Sequence, residues 1–384
     1  MRIVFYSHMG QLGNGANESF LGIVSGLSQK HECFVITPYK GTLNEELDNL
    51  KINNTIIPFK WSSQSKNDYK KVSFIDSLKT VNKWFSVRRF NEKVINQHLI
   101  FLKEFNPDII YSNTSVINIG VALAEKLKVK HIWHIREFQF YDITPNFGYF
   151  YLKKYLKKSE VIIVNSNLLK SYYSKFIKKD KIKVVYNGID ISSNTIDRKN
   201  KKDVFVFLIV GSLIKRKSHF EALEAVKQLK LRNDKFQLHI VGEGRLRSEM
   251  EFFIKENDLE DYVRLFGHQN NVEQFYKGAD CYLMCSELES FGRVTVEAML
   301  NTLPVIGRLS KYNATKEIIR DGIDGVLYEN VNELITKMEW MMNNSDLRLA
   351  MGKSGEARAR ENFSLEHSIY QMEEILLSFQ NSIK

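Results

Sequence analysis

The chain has 384 residues, 43% of them hydrophobic, with five prolines and 20 glycines. This is more than one ordinary core holds, and it describes two globular domains, not a disordered or collagen-like chain. The net charge of +10, from 55 Lys and Arg against 45 Asp and Glu, favours anionic partners, and no apolar run approaches the roughly 20 residues of a membrane-spanning helix.

Met1-Arg-Ile-Val-Phe-Tyr6 enters a strand pattern at once, so no secretory leader is expected and the expected location is cytoplasmic. Further strands are predicted at 33–36, 55–58, 109–111, 131–134, 161–164 and 184–186. Helical spacing lies between them at 20–27, 97–105 and 119–127. This alternation implies a parallel sheet with helices on both faces. Asn187-Gly-Ile-Asp190 then opens into a polar, charged stretch, 191–202, which reads as a linker. The second half repeats the plan, with strands at 204–210, 237–241, 263–266, 281–284, 305–306 and 326–327. Within the helix 219–231, Phe220, Leu223, Val226 and Leu229 form one stripe, the pattern of a core face. The tail, 363–379, is amphipathic. Two Rossmann-like α/β domains facing across a cleft are expected. Cys33, Cys281 and Cys285 lie in or beside strand-like runs, and an odd count without ligand spacing predicts buried thiols in a reducing compartment.

Ligands of open α/β sheets bind at the strands' carboxyl ends, so the loops there carry the candidate chemistry. Gly10-Gln-Leu-Gly-Asn-Gly-Ala16 follows the first strand, and its glycines let backbone approach a phosphate or sugar. A plain strand-to-helix turn fits that loop equally well. His134 ends the strand 131–134 just before Arg136 and Glu137 and is expected to face the cleft; a hydrogen-bonded structural histidine is the alternative. Gly211-Ser-Leu-Ile-Lys-Arg-Lys217 follows a buried strand. Its cations meet an anion or form a solvated helix start, where basic residues are unfavourable. The most informative stretch, Glu289-Ser-Phe-Gly-Arg-Val-Thr-Val-Glu297, sets two carboxylates around a tight glycine turn. Glu289 is expected in a loop and Glu297 in the first turns of a helix that stops at Asn301. The N–H groups of Gly292 and Arg293 offer an anion site at that helix start. Equally, Glu297 simply offsets the helix dipole and Glu289 is a solvated charge.

The run from Val241-Gly-Glu-Gly244 through Leu265-Phe-Gly267, Tyr276-Lys-Gly-Ala-Asp280, Ser286, the glutamate pair and Pro304-Val-Ile306 to Glu317-Ile-Ile-Arg-Asp-Gly322 and Gly325-Val-Leu327 resembles the retaining family-four glycosyltransferases of GT-B architecture. The resemblance implies transfer of a hexose-type sugar from a UDP- or GDP-linked donor to a hydroxyl of a glycan or lipid-linked glycan. It implies that Glu289 contacts donor-sugar hydroxyls and Glu297 the ribose. Arg216 and Lys217 match the pair that neutralises the donor diphosphate in some members, although many relatives carry arginine where this chain has Ser212. Gly211, Gly242, Ser290, Phe291, Gly292, Arg293 and Val294 fall in the donor-binding positions, and Gly13, Asn14 and Gly15 in the N-terminal glycine loop that approaches the donor. His134 is implied near the reacting carbon, with Arg136 and Glu137 as acceptor candidates. In the family the last helix crosses back to the first domain. The expected domains are therefore 1–190 plus 364–384, a linker at 191–202, and 203–363.

Sugar transfer requires a preorganised positive field at the leaving diphosphate. A magnesium-held diphosphate would ask for paired aspartates at a strand end. No Asp-x-Asp occurs in this chain, so Arg216 and Lys217 are expected to act without a metal or cofactor. Residues 51–103 hold eleven Lys or Arg against three acidic residues, with Trp61, Tyr69, Phe74, Trp84, Phe85 and Phe90 interleaved, and 149–183 is similarly basic. Such segments suit an anionic membrane, here at its inner face, or are ordinary lysine-rich surface. No nucleic-acid module accompanies the charge. A sugar-nucleotide epimerase and a non-catalytic nucleotide-sugar or nucleic-acid binder remain the other functional classes.

Overall fold

The structure, a computed structural model, describes residues 1–13, 15–65, 74–139, 141, 143–145, 148–191, 204–233 and 235–380. Asn14 and all but the first residue of the expected linker lie outside these residues, as do Tyr69, Lys70 and Lys71. The chain forms two compact units, Met1–Gly188 with Leu365–Lys384, and Ile189–Ser364.

The first unit is built on the strands β1 (Arg2–Tyr6), β2 (Glu32–Thr37), β3 (Asn53–Ile56), β4 (Ser63–Ser65), β5 (Ile109–Asn113), β6 (Lys130–Ile135), β7 (Ile143–Pro145), β8 (Val161–Val164) and β9 (Ile182–Val184). Seven of them form one parallel sheet in the order β3-β2-β1-β5-β6-β8-β9, while β4 and β7 make a separate antiparallel ladder. Ile3, Val4, Phe5 and Tyr6 are all fully buried, because a central parallel strand is covered on both faces. One face packs on the helices Gly15–Ser28 and Leu365–Gln380, joining Phe5, Phe20 and Ile23 to Met372, Leu376 and Phe379. The C-terminal helix thus belongs to the core of the first unit. Leu376→Ala should cost about 2–5 kcal/mol of stability, read as a lower urea midpoint for this unit. An unchanged midpoint would show that the helix contributes no core.

The second unit holds β10 (Phe205–Val210), β11 (Phe236–Val241), β12 (Val263–Gly267), β13 (Cys281–Met284), β14 (Leu288–Glu289), β15 (Val305–Arg308), β16 (Tyr312–Asn313) and β17 (Gly325–Tyr328). Six form a parallel sheet ordered β12-β11-β10-β13-β15-β17, and β14 pairs with β16 alone. Leu223, Val226 and Leu229 are fully buried in this core, with Phe220 packed at its margin. In each sheet the strand order reverses at one place: between β1 and β5, and between β10 and β13. A crevice opens at such a reversal because the flanking connections run to opposite faces.

Three expectations change. The strands expected at 55–58 and 184–186 lie at Asn53–Ile56 and Ile182–Val184, because pairing with β2 and β8 sets their extent. Glu289 is not in an open loop but in the short strand β14. Trp84 does not join a lipid-facing aromatic set. The helix Phe74–Phe105 turns Trp84, Val87, Val94, His98 and Leu102 inward and leaves Phe85, Arg88, Arg89 and Lys93 outward. Cys33, Cys281 and Cys285 are buried thiols that form no disulfide.

Candidate active site

The reversal between β10 and β13 gathers the strongest constellation. After β10 the chain passes through Gly211 and Ser212 into a 3-10 turn, Lys215–Lys217. Ser218 then takes a left-handed conformation (φ 52°) before the helix His219–Leu229. The basic triplet is therefore a turn of its own and not the helix's first turn, which removes the dipole penalty attached to a basic helix start. The loop after β11 lies so close that a Cβ on Gly242 would sit 2.0 Å from the Gly211 carbonyl oxygen. Gly242 thus serves loop packing, and its own N–H is spent on the Gly267 carbonyl, 2.8 Å away.

After β13, two backbone bonds fix the loop that carries Glu289. The Glu287 N–H donates to the Arg216 carbonyl at 2.9 Å, and the Ala314 N–H donates to the Glu289 carbonyl at 2.9 Å. Asn313, paired with Glu289 across β14 and β16, also donates its side-chain amide to the Ser286 carbonyl at 2.6 Å. Into this frame Lys217 Nζ reaches Glu289 Oε2 at 2.5 Å, with the two side chains only 16% and 17% exposed. Burial pushes the Glu289 carboxyl up, but the Lys217 and Arg216 charges and hydrogen bonds from Lys217 and Ser286 outweigh it and hold it below its ordinary range. Glu289 is therefore a carboxylate, with Lys217 seated against it at the sheet's carboxyl edge.

Gly292 has φ 94° and caps the helix Arg293–Leu300. A side chain there would be strained, and its Cβ would lie 3.4 Å from Glu289 Cγ. Glu297 lies one turn into this helix. Arg293 Nη2 stands 3.6 Å from its Oε1, and the Tyr276 hydroxyl donates to its Oε2 at 3.0 Å. Burial, then the Glu297 charge, pushes the Tyr276 hydroxyl well above its ordinary range, so it remains a donor. Phe291 departs from expectation. Its side chain is buried edge-on against Phe363, ring centroids 5.7 Å apart, so only its backbone is available to a ligand. Ser290 and Val294 sit half-buried on either side of the glycine turn.

The first unit gathers a polar cluster at its own reversal. His134, at the end of β6, is wholly buried; its Nδ1 faces the Tyr111 hydroxyl and lies 3.3 Å from Arg136 Nη2. Burial and then the Arg136 charge push its pKa well down, so the ring is neutral. His134 is therefore an interior support and not the open, cleft-facing residue that its place in the sequence suggested. Arg136, also buried, donates from Nε to Asn113 Oδ1 at 2.9 Å and from Nη1 to Asn187 Oδ1. Glu137 accepts from the Ser115 N–H and hydroxyl and from the Arg136 N–H, so its carboxylate shapes the loop. In the glycine loop Gly13 has φ 89°, and its N–H donates to Glu18 Oε1 at 3.0 Å. That donor is taken. Gly15 opens the helix Gly15–Ser28.

Sequence reasoning found the two glutamates and the basic turn but missed Tyr276 and Asn313. Tyr276 stood inside a recognised motif without a role, whereas Asn313 carried no signal, being one polar residue between β15 and a short helix.

Residues 192–358 match the family described as glycosyl transferases group 1, and residues 13–193 match glycosyltransferase family 4. An uncharacterised glycosyltransferase of Methanocaldococcus jannaschii is 26% identical over 86% of this chain and 93% of its own length. A Campylobacter jejuni protein, named as an alpha-1,4-N-acetyl-D-galactosaminyltransferase acting on a GalNAc-containing diNAcBac-PP-undecaprenol, is 24% identical over 92% of each chain. Among solved structures, Anabaena HepE in complex with UDP superposes with a TM-score of 0.79 at 18% identity, covering 98% of this chain and 100% of its own. The chain belongs to the family-four glycosyltransferases of GT-B fold.

Proposed function

We propose that this glycosyltransferase moves a hexose-type sugar from a nucleotide-diphosphate donor, UDP- or GDP-linked, to a hydroxyl of a glycan or lipid-linked glycan, with retention and without a metal. The observation that carries the reading is the Lys217–Glu289 ion pair at the strand reversal of the second unit. An ammonium has three donors and this pair uses one; the others face the leaving diphosphate. Arg216, exposed on the same turn, adds the second charge, and the N-terminal end of the helix Arg293–Leu300 supplies backbone dipoles. Glu289, kept ionised, accepts from donor-sugar hydroxyls, and Glu297, oriented by Tyr276, accepts from the ribose. Buried Arg136, held by Asn113, Asn187 and His134, shapes the acceptor side from within the first unit, and Glu137 orders the loop beside it. The lipid-linked substrate named for the Campylobacter relative and the UDP in the HepE complex support these substrate classes.

The test is a set of nucleotide sugars incubated with and without lipid-linked acceptor, with nucleoside diphosphate release and the product's anomeric coupling followed by NMR. Acceptor-dependent release, an unchanged anomeric configuration and indifference to chelator are expected. Conversion of the donor to its epimer without release would make the protein an isomerase, and an unchanged donor would make it a binder. Loss of activity with chelator would remove the charge role given to Arg216 and Lys217.

A further inference from the structure

The helix Phe74–Phe105 carries a surface groove that the transfer chemistry does not use. Its volume is about 760 Å³, and Lys60, Phe85, Arg88, Arg89, Phe90 and Lys93 line it. Glu92 also lines it, but that carboxylate is engaged by Arg88 Nε at 2.6 Å. Lys60, Arg89 and Lys93 have no ion-pair partner among the described residues, so three uncompensated cations face one groove. Phe85 projects beside them, 59% exposed. An exposed phenyl ring next to unpaired cations is unfavourable in water and favourable at headgroup depth.

The structure also brings the second basic segment of the sequence alongside. Trp84 meets Tyr151 of the helix Gly148–Lys158 edge-on, ring centroids 6.1 Å apart, and Lys154 and Lys157 on that helix are exposed. Two lysine-rich helices, far apart in sequence, are thus neighbours in one unit.

We propose that this groove docks the phosphate headgroups of an anionic lipid bilayer, with Lys60, Arg89 and Lys93 on the phosphates and Phe85 among the upper acyl carbons. Nucleic acid is the poorer occupant. Single strands bind by stacking successive bases on successive aromatic faces, and here Lys60 covers the Phe90 ring at 4.6 Å while Arg88 covers Trp84 at 5.3 Å, which leaves Phe85 alone of the three exposed. None of the groove's residues is assigned to the donor or the acceptor, and its test does not depend on which sugar is transferred.

The experiment is co-sedimentation of the full chain with phosphatidylglycerol vesicles and with phosphatidylcholine vesicles, at low and high salt. Binding to the anionic vesicles alone, weakened by salt, is expected. Each basic residue near such a surface is worth roughly 1 kcal/mol, about fivefold. Reversing two exposed charges, Arg89→Glu with Lys93→Glu, should therefore weaken binding by about 25-fold or more. Transfer to a water-soluble acceptor should be unchanged. Phe85→Ser should weaken binding while leaving its salt dependence intact. Equal binding of the double variant, binding that ignores lipid charge, displacement by inorganic phosphate, or tighter binding to a single-stranded oligonucleotide than to the vesicles would each overturn the proposal.

Discussion

Lys217→Met should lower turnover by about 10²- to 10³-fold, a larger factor than it weakens donor binding, the size seen when one preorganised charge-stabilising contact is removed. The expectation follows from where the ammonium stands. It is fixed by Glu289 at 2.5 Å and largely shielded from water, so on the proposed function it would meet the growing charge of the leaving diphosphate without reorganising. A second signature separates this role from a structural one. Burial is the largest influence on Glu289, and Lys217 is the largest of the groups opposing it. Without the lysine the Glu289 carboxyl rises, although Arg216 and Ser286 still oppose the rise. The acid limb of the variant's rate profile should therefore shift to higher pH. The pair must also be non-additive. Lys217→Met combined with Glu289→Gln should cost less than the product of the two single losses, because each partner partly acts through the other. A variant with full turnover and an unmoved acid limb would show that Lys217 is only a surface partner for Glu289.

Glu289→Ala and Glu297→Ala should fail in different ways. Removing Glu289 loses the acceptor for sugar hydroxyls and releases Lys217 from its place, so turnover falls, by about 10²-fold on the scale of a lost preorganised contact. Removing Glu297 loses charge-assisted hydrogen bonds to the ribose, worth about 1.5–3 kcal/mol. Nucleotide affinity should drop roughly 10- to 150-fold, with turnover at saturating donor nearly intact. Tyr276→Phe should act in the same direction as Glu297→Ala but more weakly, since it leaves the carboxylate in place and removes the 3.0 Å bond that orients it. Steady-state kinetics together with nucleotide titration resolve the split. Equal and negligible effects of both glutamate changes would remove the pair from the site.

Much of this was legible before any coordinates. Cys281–Met284 reads as a buried strand because its four residues are apolar and it lies beside two others in a parallel sheet. Both glutamates stood out through the family motifs around them, since taken alone they also fit a helix-dipole carboxylate and a solvated charge, and the basic turn through cations where a helix start disfavours them. Their pairing was not legible. Lys217 and Glu289 are 72 residues apart, and only the strand order β10-β13 makes them neighbours. Edge strands were misplaced because pairing overrides apolarity: β3 includes polar Asn53 and Asn54, set by register against Phe34 and Val35. Trp84 shows the opposite error. Reading aromatics among lysines as one surface ignored the spacing of 84, 87, 94, 98 and 102, which places them all on the helix's buried face. For His134, position at a strand's end gave proximity to the sheet edge, but not that Tyr111 and Arg136 would enclose the ring.

The most direct measurement compares, by titration calorimetry, the affinity for a nucleoside with that for its diphosphate, uridine against UDP and guanosine against GDP, in the native protein and in Lys217→Met. For one of the two bases the diphosphate should bind the native protein far more tightly than the nucleoside, the variant should lose part of that gain, a smaller factor than its loss of turnover, and nucleoside affinity should be the same in both. A diphosphate that adds nothing over the nucleoside for either base, or a gain that Lys217→Met leaves whole, would contradict a donor diphosphate seated on the basic turn.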